Sequence, residues 1–351
     1  MKYSLNDIEI MPSDVTGIEH RSECIPYHCD GMLPLFTAPM SSVVGLNNYE
    51  LYKKNKINPI IPRTENLSDR LRLMKDVFSA FSLSEFDDIV HNSLIQGLIF
   101  SNEKTFILID IANGHMSKLH SLIKESKDLY GDKIVIMAGN IANPETYKIL
   151  SECGADYVRL GIGTGSVCIT SSNTGIHFPL ASLIKECYDI SLTLDTPAFI
   201  VADGGIKGYA DITKCLVLGA DYVMCGSIFN KMLESSGETF LMAKSGYKFP
   251  INQFKRNDNV IEAIKNGDII KSHYGMSTKR AQSEMGCEIL KTSEGIEKIQ
   301  TVEYTMLGWV NNFEDYLKSL MSYCSAKELY DLIGEASYNI VSSSAYNSIN
   351  K

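Results

Sequence analysis

Tyr157-Val158-Arg159-Leu160-Gly161-Ile162-Gly163-Thr164-Gly165-Ser166-Val167-Cys168-Ile169-Thr170 opens as a short buried run and turns into glycines at alternate positions. The run reads as a strand, and the glycines begin where that strand should end. Glycine lets the backbone take conformations other residues avoid and approach a ligand closely. Ser166 adds a hydroxyl within a string of N–H groups suited to an anion. Cys168, two residues on and followed by Thr170, is a thiol raised on a loop, hence a candidate nucleophile. The competing reading is a small buried hydrophobe, the commonest use of a free cysteine.

The surrounding chain repeats this strand-then-polar-turn pattern. Strand-like runs stand at residues 33–38, 58–62, 97–100, 106–110, 134–138, 157–160, 198–202 and 221–225, separated by helical patterns over 47–56, 68–80, 116–129, 143–153 and 211–218. Continuous apolar strands belong to a parallel sheet covered on both faces. Eight such βα units predict a TIM (β/α)8 barrel, with an open doubly wound sheet as the alternative. Met40, Arg63, Asp110, Asn140, the 161–170 loop, Asp203 and Gly226-Ser227 all fall at or just past the carboxyl ends of these runs. In a barrel those ends share one face, and the turns after strands seven and eight are where phosphate commonly binds.

Composition agrees. At 351 residues, 44% apolar and 21% charged, the chain has the make-up of an ordinary globular protein, expected to be one catalytic barrel domain over 1–351. No apolar run approaches a membrane span and no signal-peptide core opens the chain, so a cytoplasmic location without membrane attachment is expected. The nine cysteines contain no C-x-x-C pair, which argues against a disulfide framework or a zinc ribbon. A net charge of −9 argues against a nucleic-acid surface, though not against a phosphorylated small molecule held by backbone N–H groups. Residues 240–272 read as a polar insertion or lid after strand eight, 273–300 as an active-site flap, 313–320 and 327–333 as closing helices, and 342–351 as a frayed tail.

Asp110-Ile111-Ala112-Asn113-Gly114-His115, Met137-Ala138-Gly139-Asn140, Gly161 to Thr170, Ala202-Asp203-Gly204-Gly205, Cys225-Gly226-Ser227 and Tyr274-Gly275-Met276-Ser277 together resemble the motifs of the IMP dehydrogenase and GMP reductase family, in its order. The resemblance implies a TIM barrel, usually tetrameric, that acts on a purine nucleoside monophosphate. It implies Cys168 as the nucleophile toward C2 of the purine, with Thr170 and Glu294 handling protons. Ser166, Gly204, Gly205, Gly226 and Ser227 would hold the 5′-phosphate, Asp203 the ribose, and Met276 and Ser277 the base. Asp110 and Asn140 would flank a nicotinamide, with Lys291 on the cofactor side. Carbonyls of Gly163, Gly165 and Cys168 match positions that hold a potassium ion in many members.

Within the family the resemblance favours the reductase, which uses NADPH to turn GMP into IMP and ammonia, over the dehydrogenase, which passes hydride from IMP to NAD. The reasons are the expected lack of CBS modules, the short stretch from Tyr274 to Glu294 without an Arg-Tyr pair, and Thr292-Ser293-Glu294-Gly295. Departures are Ser41 where an aspartate is usual, Arg63 where a His-Lys pair ends, Ile169 for threonine, and the dehydrogenase-like Gly226-Ser227 and Gly295-Ile296-Glu297. A non-catalytic nucleotide-binding barrel is the third reading. The bland alternatives are helix capping for Asp203 and Asn140, a solvated side chain for Glu294 and Lys291, and structural or rim places for His115, His177 and His273.

Overall fold

The computed structural model describes residues 2–92, 104–242, 248–250, 258–287, 289–290 and 292–349. Eight parallel strands form one sheet: β1 Leu35–Thr37, β2 Ile60–Ile61, β3 Phe78–Phe81, β4 Thr105–Asp110, β5 Ile134–Ile141, β6 Tyr157–Leu160, β7 Phe199–Asp203 and β8 Tyr222–Cys225. From β2 to β8 each strand pairs with the next, and β8 pairs with β1. Phe36 also bridges Asn58, just ahead of β2, with Thr37 N–H donating to the Asn58 carbonyl at 3.0 Å. The sheet thus closes into the expected barrel.

Alternation along each strand sorts its side chains between two cores. Phe106 and Leu108 of β4 pack inside the barrel with Phe36, Phe78, Met137, Val201 and Met224, whereas Ile107 and Ile109 face the helices outside. The same parity carries Asp110 inward at the end of β4, Arg159 inward after Tyr157 in β6, and Asp203 inward after Val201 in β7. Three charged residues therefore form a polar layer above an apolar plug, at the face where the strands end.

The outer helices follow from local chemistry. Pro144 opens helix Pro144–Glu152, and the Asn143 side chain accepts from Glu145 N–H as its cap. Helix Leu180–Ser191 buries Leu180, Leu183, Ile184 and Cys187 against the sheet.

Two expectations are corrected. Helix was expected through 68–80, but it spans Leu67–Leu73 and Phe78–Phe81 is strand β3. Leu71, Met74 and Phe78 keep a helical spacing, yet all four residues of β3 are buried, and Phe78 meets Phe36 edge-on at 5.7 Å inside the barrel. Tertiary packing overrides local periodicity there. The strand expected at 97–100 lies outside the described residues. The closing helix expected at 327–333 is a single 3-10 turn, Leu329–Asp331, where Asp331 Oδ2 accepts from the Lys327 and Glu328 amides; the preceding helix is longer than expected, Met306–Tyr323.

After β8 come Thr239–Met242 (β9), Lys248–Pro250 (β10), Ile269–Tyr274 (β11) and Glu297–Thr301 (β12), an antiparallel sheet in the order β10-β9-β11-β12. Helix Asp258–Asn266 precedes β11. Residues 343–349 form a terminal helix, and Ile8–Ile10 pairs with Tyr338–Ile340 outside the barrel.

Candidate active site

The polar layer is built around Arg159. Its Nη1 donates to Asp110 Oδ1 and its Nη2 to Asp203 Oδ2, each at 2.8 Å. Burial disfavours the guanidinium, but the charges and hydrogen bonds of Asp203 and Asp110 outweigh this and hold its proton above the ordinary arginine range. Asn140 Nδ2 donates to Asp203 Oδ2 at 2.8 Å and to the Gly161 carbonyl at 2.9 Å. Asp110, Asn140 and Asp203 are thus brought together, and the residue joining them, Arg159, went unnoticed as a site residue in the sequence. An arginine at an inward position of a barrel strand was the available signal.

Cys168 is half-buried, with Sγ 3.3 Å from Thr170 Oγ1, and the Thr170 hydroxyl donates to Glu294 Oε2 at 2.8 Å. Glu294 is brought there by backbone pairing. Ile169 N–H donates to the Glu294 carbonyl and Ile296 N–H to the Val167 carbonyl, both at 2.9 Å, across an antiparallel bridge between Cys168 and Gly295. A Cβ on Gly295 would stand 3.1 Å from both Ser277 Oγ and Thr278 Cγ2 and 3.2 Å from the Val167 carbonyl oxygen, so glycine permits the close approach. A slip of one residue in this register would turn Glu294 away from Thr170.

Cys168 and Thr170 line a crevice of about 180 Å³ with Ala112, Asn140, Gly161, Gly163 and Asp203. An adjoining cavity of about 130 Å³ is lined by Met40, Ser166, Asp203, Gly204, Gly205, Gly226, Ser227, Lys207 and His273. Thr164, Gly165, Asp203 and Gly204 border both. Gly204, at φ +89°, could carry no side chain: a Cβ would lie 2.3 Å from Thr164 Oγ1, which itself donates to the Asp203 carbonyl at 2.9 Å. The turns after β6, β7 and β8 therefore converge their backbones on one small cavity suited to an anion.

Other expected residues stand differently. Met276 is half-buried and Ser277 exposed on the loop after β11, beside Gly295 but lining neither cavity. Lys291 lies outside the described residues. The Gly163 carbonyl accepts from Ser171 Oγ at 2.9 Å and the Gly165 carbonyl from Cys168 N–H at 3.1 Å. His115 is internal, its Nδ1 2.8 Å from Thr146 Oγ1, and His177 is exposed.

His273, read from sequence as a structural or rim residue, lines the anion cavity. Its Nε2 is 3.5 Å from Ser166 Oγ and its Nδ1 3.3 Å from Ser42 Oγ. Burial, with the charge of Lys298 behind it, pushes its imidazole from 6.5 down to about 4. The unfolded chain therefore takes up a proton before the folded one does as pH falls. Stability is expected to drop by up to about 3 kcal/mol between pH 6.5 and 4 through this group. Urea midpoints measured across that range should lose this slope in His273→Gln; an unchanged slope would place it elsewhere.

Among the described residues no helix is long and apolar enough to cross a membrane. Fold and site together define an α/β barrel that presents a thiol beside an anion cavity at the carboxyl ends of its strands. The chain belongs to the IMP dehydrogenase / GMP reductase family, whose domain model matches residues 95–350. It is 28% identical to a GMP reductase of Staphylococcus carnosus over 98% of each chain. It is 30% identical to a GMP reductase of Vibrio vulnificus, over 86% of this chain and 81% of that one. An IMP dehydrogenase of Chlorobaculum parvum is 34% identical over 64% of this chain, which spans only 43% of that protein's length.

Proposed function

We propose that this chain is a GMP reductase, converting GMP to IMP and ammonia with NADPH. The observation that carries the reading is the contiguous run from Cys168 Sγ through Thr170 Oγ1 to Glu294 Oε2, set beside the anion cavity. Near-complete mutual coverage with the Staphylococcus reductase supports the same direction.

In this reading Ser166, Gly204, Gly205, Gly226 and Ser227 hold the 5′-phosphate, and Asp203 accepts from the ribose hydroxyls through the oxygen not committed to Arg159 and Asn140. Met276 and Ser277 approach the base when the flap closes. The Cys168 proton passes through the Thr170 hydroxyl to Glu294, and the thiolate attacks C2 of GMP, forming a C–S bond. Glu294 returns the proton through Thr170 to the departing amine, which leaves as ammonia, and a thioimidate remains. C2 then takes up hydride, the C–S bond breaks, and IMP leaves with the thiolate restored.

The crevice opening on Cys168 suits a nicotinamide, because Gly161, Gly163, Gly165 and Gly204 leave its lining without bulky side chains and Asn140 adds a polar group. Bound there, NADPH supplies the hydride. The family resemblance would put Lys291 on the cofactor side, and Asp110, by accepting from Arg159, would hold the polar layer that lines the crevice. A potassium ion on the carbonyls of Gly163, Gly165 and Cys168 belongs to the same proposal, using carbonyl lone pairs beyond those already engaged. So does a homotetramer.

The identity with the Chlorobaculum dehydrogenase favours a second reading, oxidation of IMP with NAD. Absorbance of the reduced nicotinamide separates the two: a fall with GMP and NADPH supports the reductase, and a rise with IMP and NAD replaces it by the dehydrogenase. Tight monophosphate binding without turnover in either mixture would indicate a binding barrel. Glu294→Gln keeps an acceptor for the Thr170 hydroxyl but cannot carry its proton. It is expected to lower kcat about a hundredfold with little change in KM for GMP; steady-state kinetics would exclude the relay if kcat held.

A further inference from the structure

We infer that Glu284 is a positioning residue of this site: its carboxylate latches the flap to the barrel loop after β1 and thereby sets where Glu294 stands against Thr170. The inference rests on the proposed roles of Cys168, Thr170 and Glu294.

The Ser41 hydroxyl donates to Glu284 Oε2 at 2.9 Å and the Tyr274 hydroxyl to Oε1 at 2.9 Å, while Arg280 Nε donates to Oε1 at 3.2 Å. Ser41 comes from the barrel rim, Tyr274 from the end of β11, and Arg280 from the flap helix, Lys279–Glu284, that carries Glu284 itself. Ser41 follows Met40, which lines the anion cavity, and stands 243 residues from Glu284. Tyr274 is the last residue of β11, from which the loop of Met276 and Ser277 departs. Arg280 lies over the Tyr274 ring at 4.4 Å and passes the connection on, donating through Nη1 to Glu297 at 2.7 Å and pairing through Nη2 with Glu238 at 2.8 Å.

Glu297 opens β12, three residues after Glu294. The flap is thus held by the β11–β12 ladder, by the backbone bridge of Cys168 with Gly295, by Lys298 Nζ donating to the Ser166 carbonyl at 2.6 Å, and by this carboxylate, which joins it to the loop after β1. The Glu284 side chain is about one-third exposed (32%), so any single bond here contributes little. What distinguishes the cluster is convergence: one carboxylate takes three donors from the barrel rim, the end of β11 and the flap helix, and bonds sharing a carboxylate reinforce one another. Burial and its acidic neighbour hold the Tyr274 phenol up at about 12, so it stays a donor at neutral pH.

Removing the carboxylate frees the Tyr274–Arg280 end of the flap, from which Arg280 reaches Glu297, while the β11–β12 ladder and the bridge at Gly295 remain; a shift of about 1 Å in a reacting group lowers rate by about a hundredfold. Glu284→Ala, assayed with GMP and NADPH in the full chain, is expected to lose ten- to a hundredfold in kcat with KM for GMP little changed. Ser41→Asp sets a second carboxylate against Glu284 and should lose as much; adding Glu284→Lys restores an opposite-charge pair and should recover most of it. Hydrogen exchange at the Ile169 and Ile296 amides needs no substrate, and should quicken in Glu284→Ala. An unchanged kcat in that variant, no recovery in the charge-swapped pair, or unchanged exchange would each overturn the latch. Quickened exchange in Glu284→Ala, with neither GMP nor IMP turned over by the natural protein, would leave the latch standing and remove the proposed function.

Discussion

Cys168→Ser is expected to lower turnover of GMP by at least about a thousandfold while leaving monophosphate binding nearly intact. Serine fills almost the same volume and keeps a contact with Thr170, which lies 3.3 Å from the sulphur. Its hydroxyl is not ionised at neutral pH, so no nucleophile forms even with Thr170 and Glu294 in place. The turns proposed to hold the phosphate line the adjoining cavity, which Cys168 does not line. Calorimetric titration with GMP, beside the absorbance assay, checks both halves. Retained turnover would remove the covalent mechanism, and lost binding would mean that the thiol is part of the grip and not of the chemistry.

Arg159→Met should be the most destabilising single change in the site. It strips the cation from between Asp110 and Asp203, whose side chains are 14% and 16% exposed. Breaking such a pair leaves uncompensated buried charge and costs about 3–5 kcal/mol. The sign of its pH dependence follows. The deficit arises from two ionised carboxylates left facing each other without their cation, so it is expected to be smaller in acid, where carboxylates are protonated, than at neutral pH. Urea unfolding of the variant at neutral and acidic pH tests this, and a deficit independent of pH would count against it. Adding Asp110→Asn and Asp203→Asn should restore much of the stability without restoring activity, since Asp203 also faces the substrate in the proposed site.

Much of the molecule was legible in the chain. Continuous apolar runs such as Phe106 to Ile109 mark strands of a parallel sheet, and polar residues at run ends mark the face where the strands end. The glycine-rich loop with Ser166 and Cys168 announced both cavities for the same local reason: backbone freedom and residue type are properties of a segment. Failure came where two local patterns competed. The segment ending at Phe81 carries a helical spacing through its first half, and pairing with β2 and β4 together with burial of Phe78 against Phe36 makes its second half a strand.

The chain by itself thus determined the barrel strands other than β3, and that a thiol rides a glycine loop at a strand end, because those depend on neighbours a few residues away. Only the tertiary structure decided that Arg159 stands between carboxylates 49 and 44 residues distant. It alone brought Glu294 to Thr170 across 124 residues, Glu284 to Ser41 across 243, and His273 to the wall of the anion cavity. Such meetings depend on how the sheet closes and where the flap docks, and the separations exceed by far the reach of any helical or strand period.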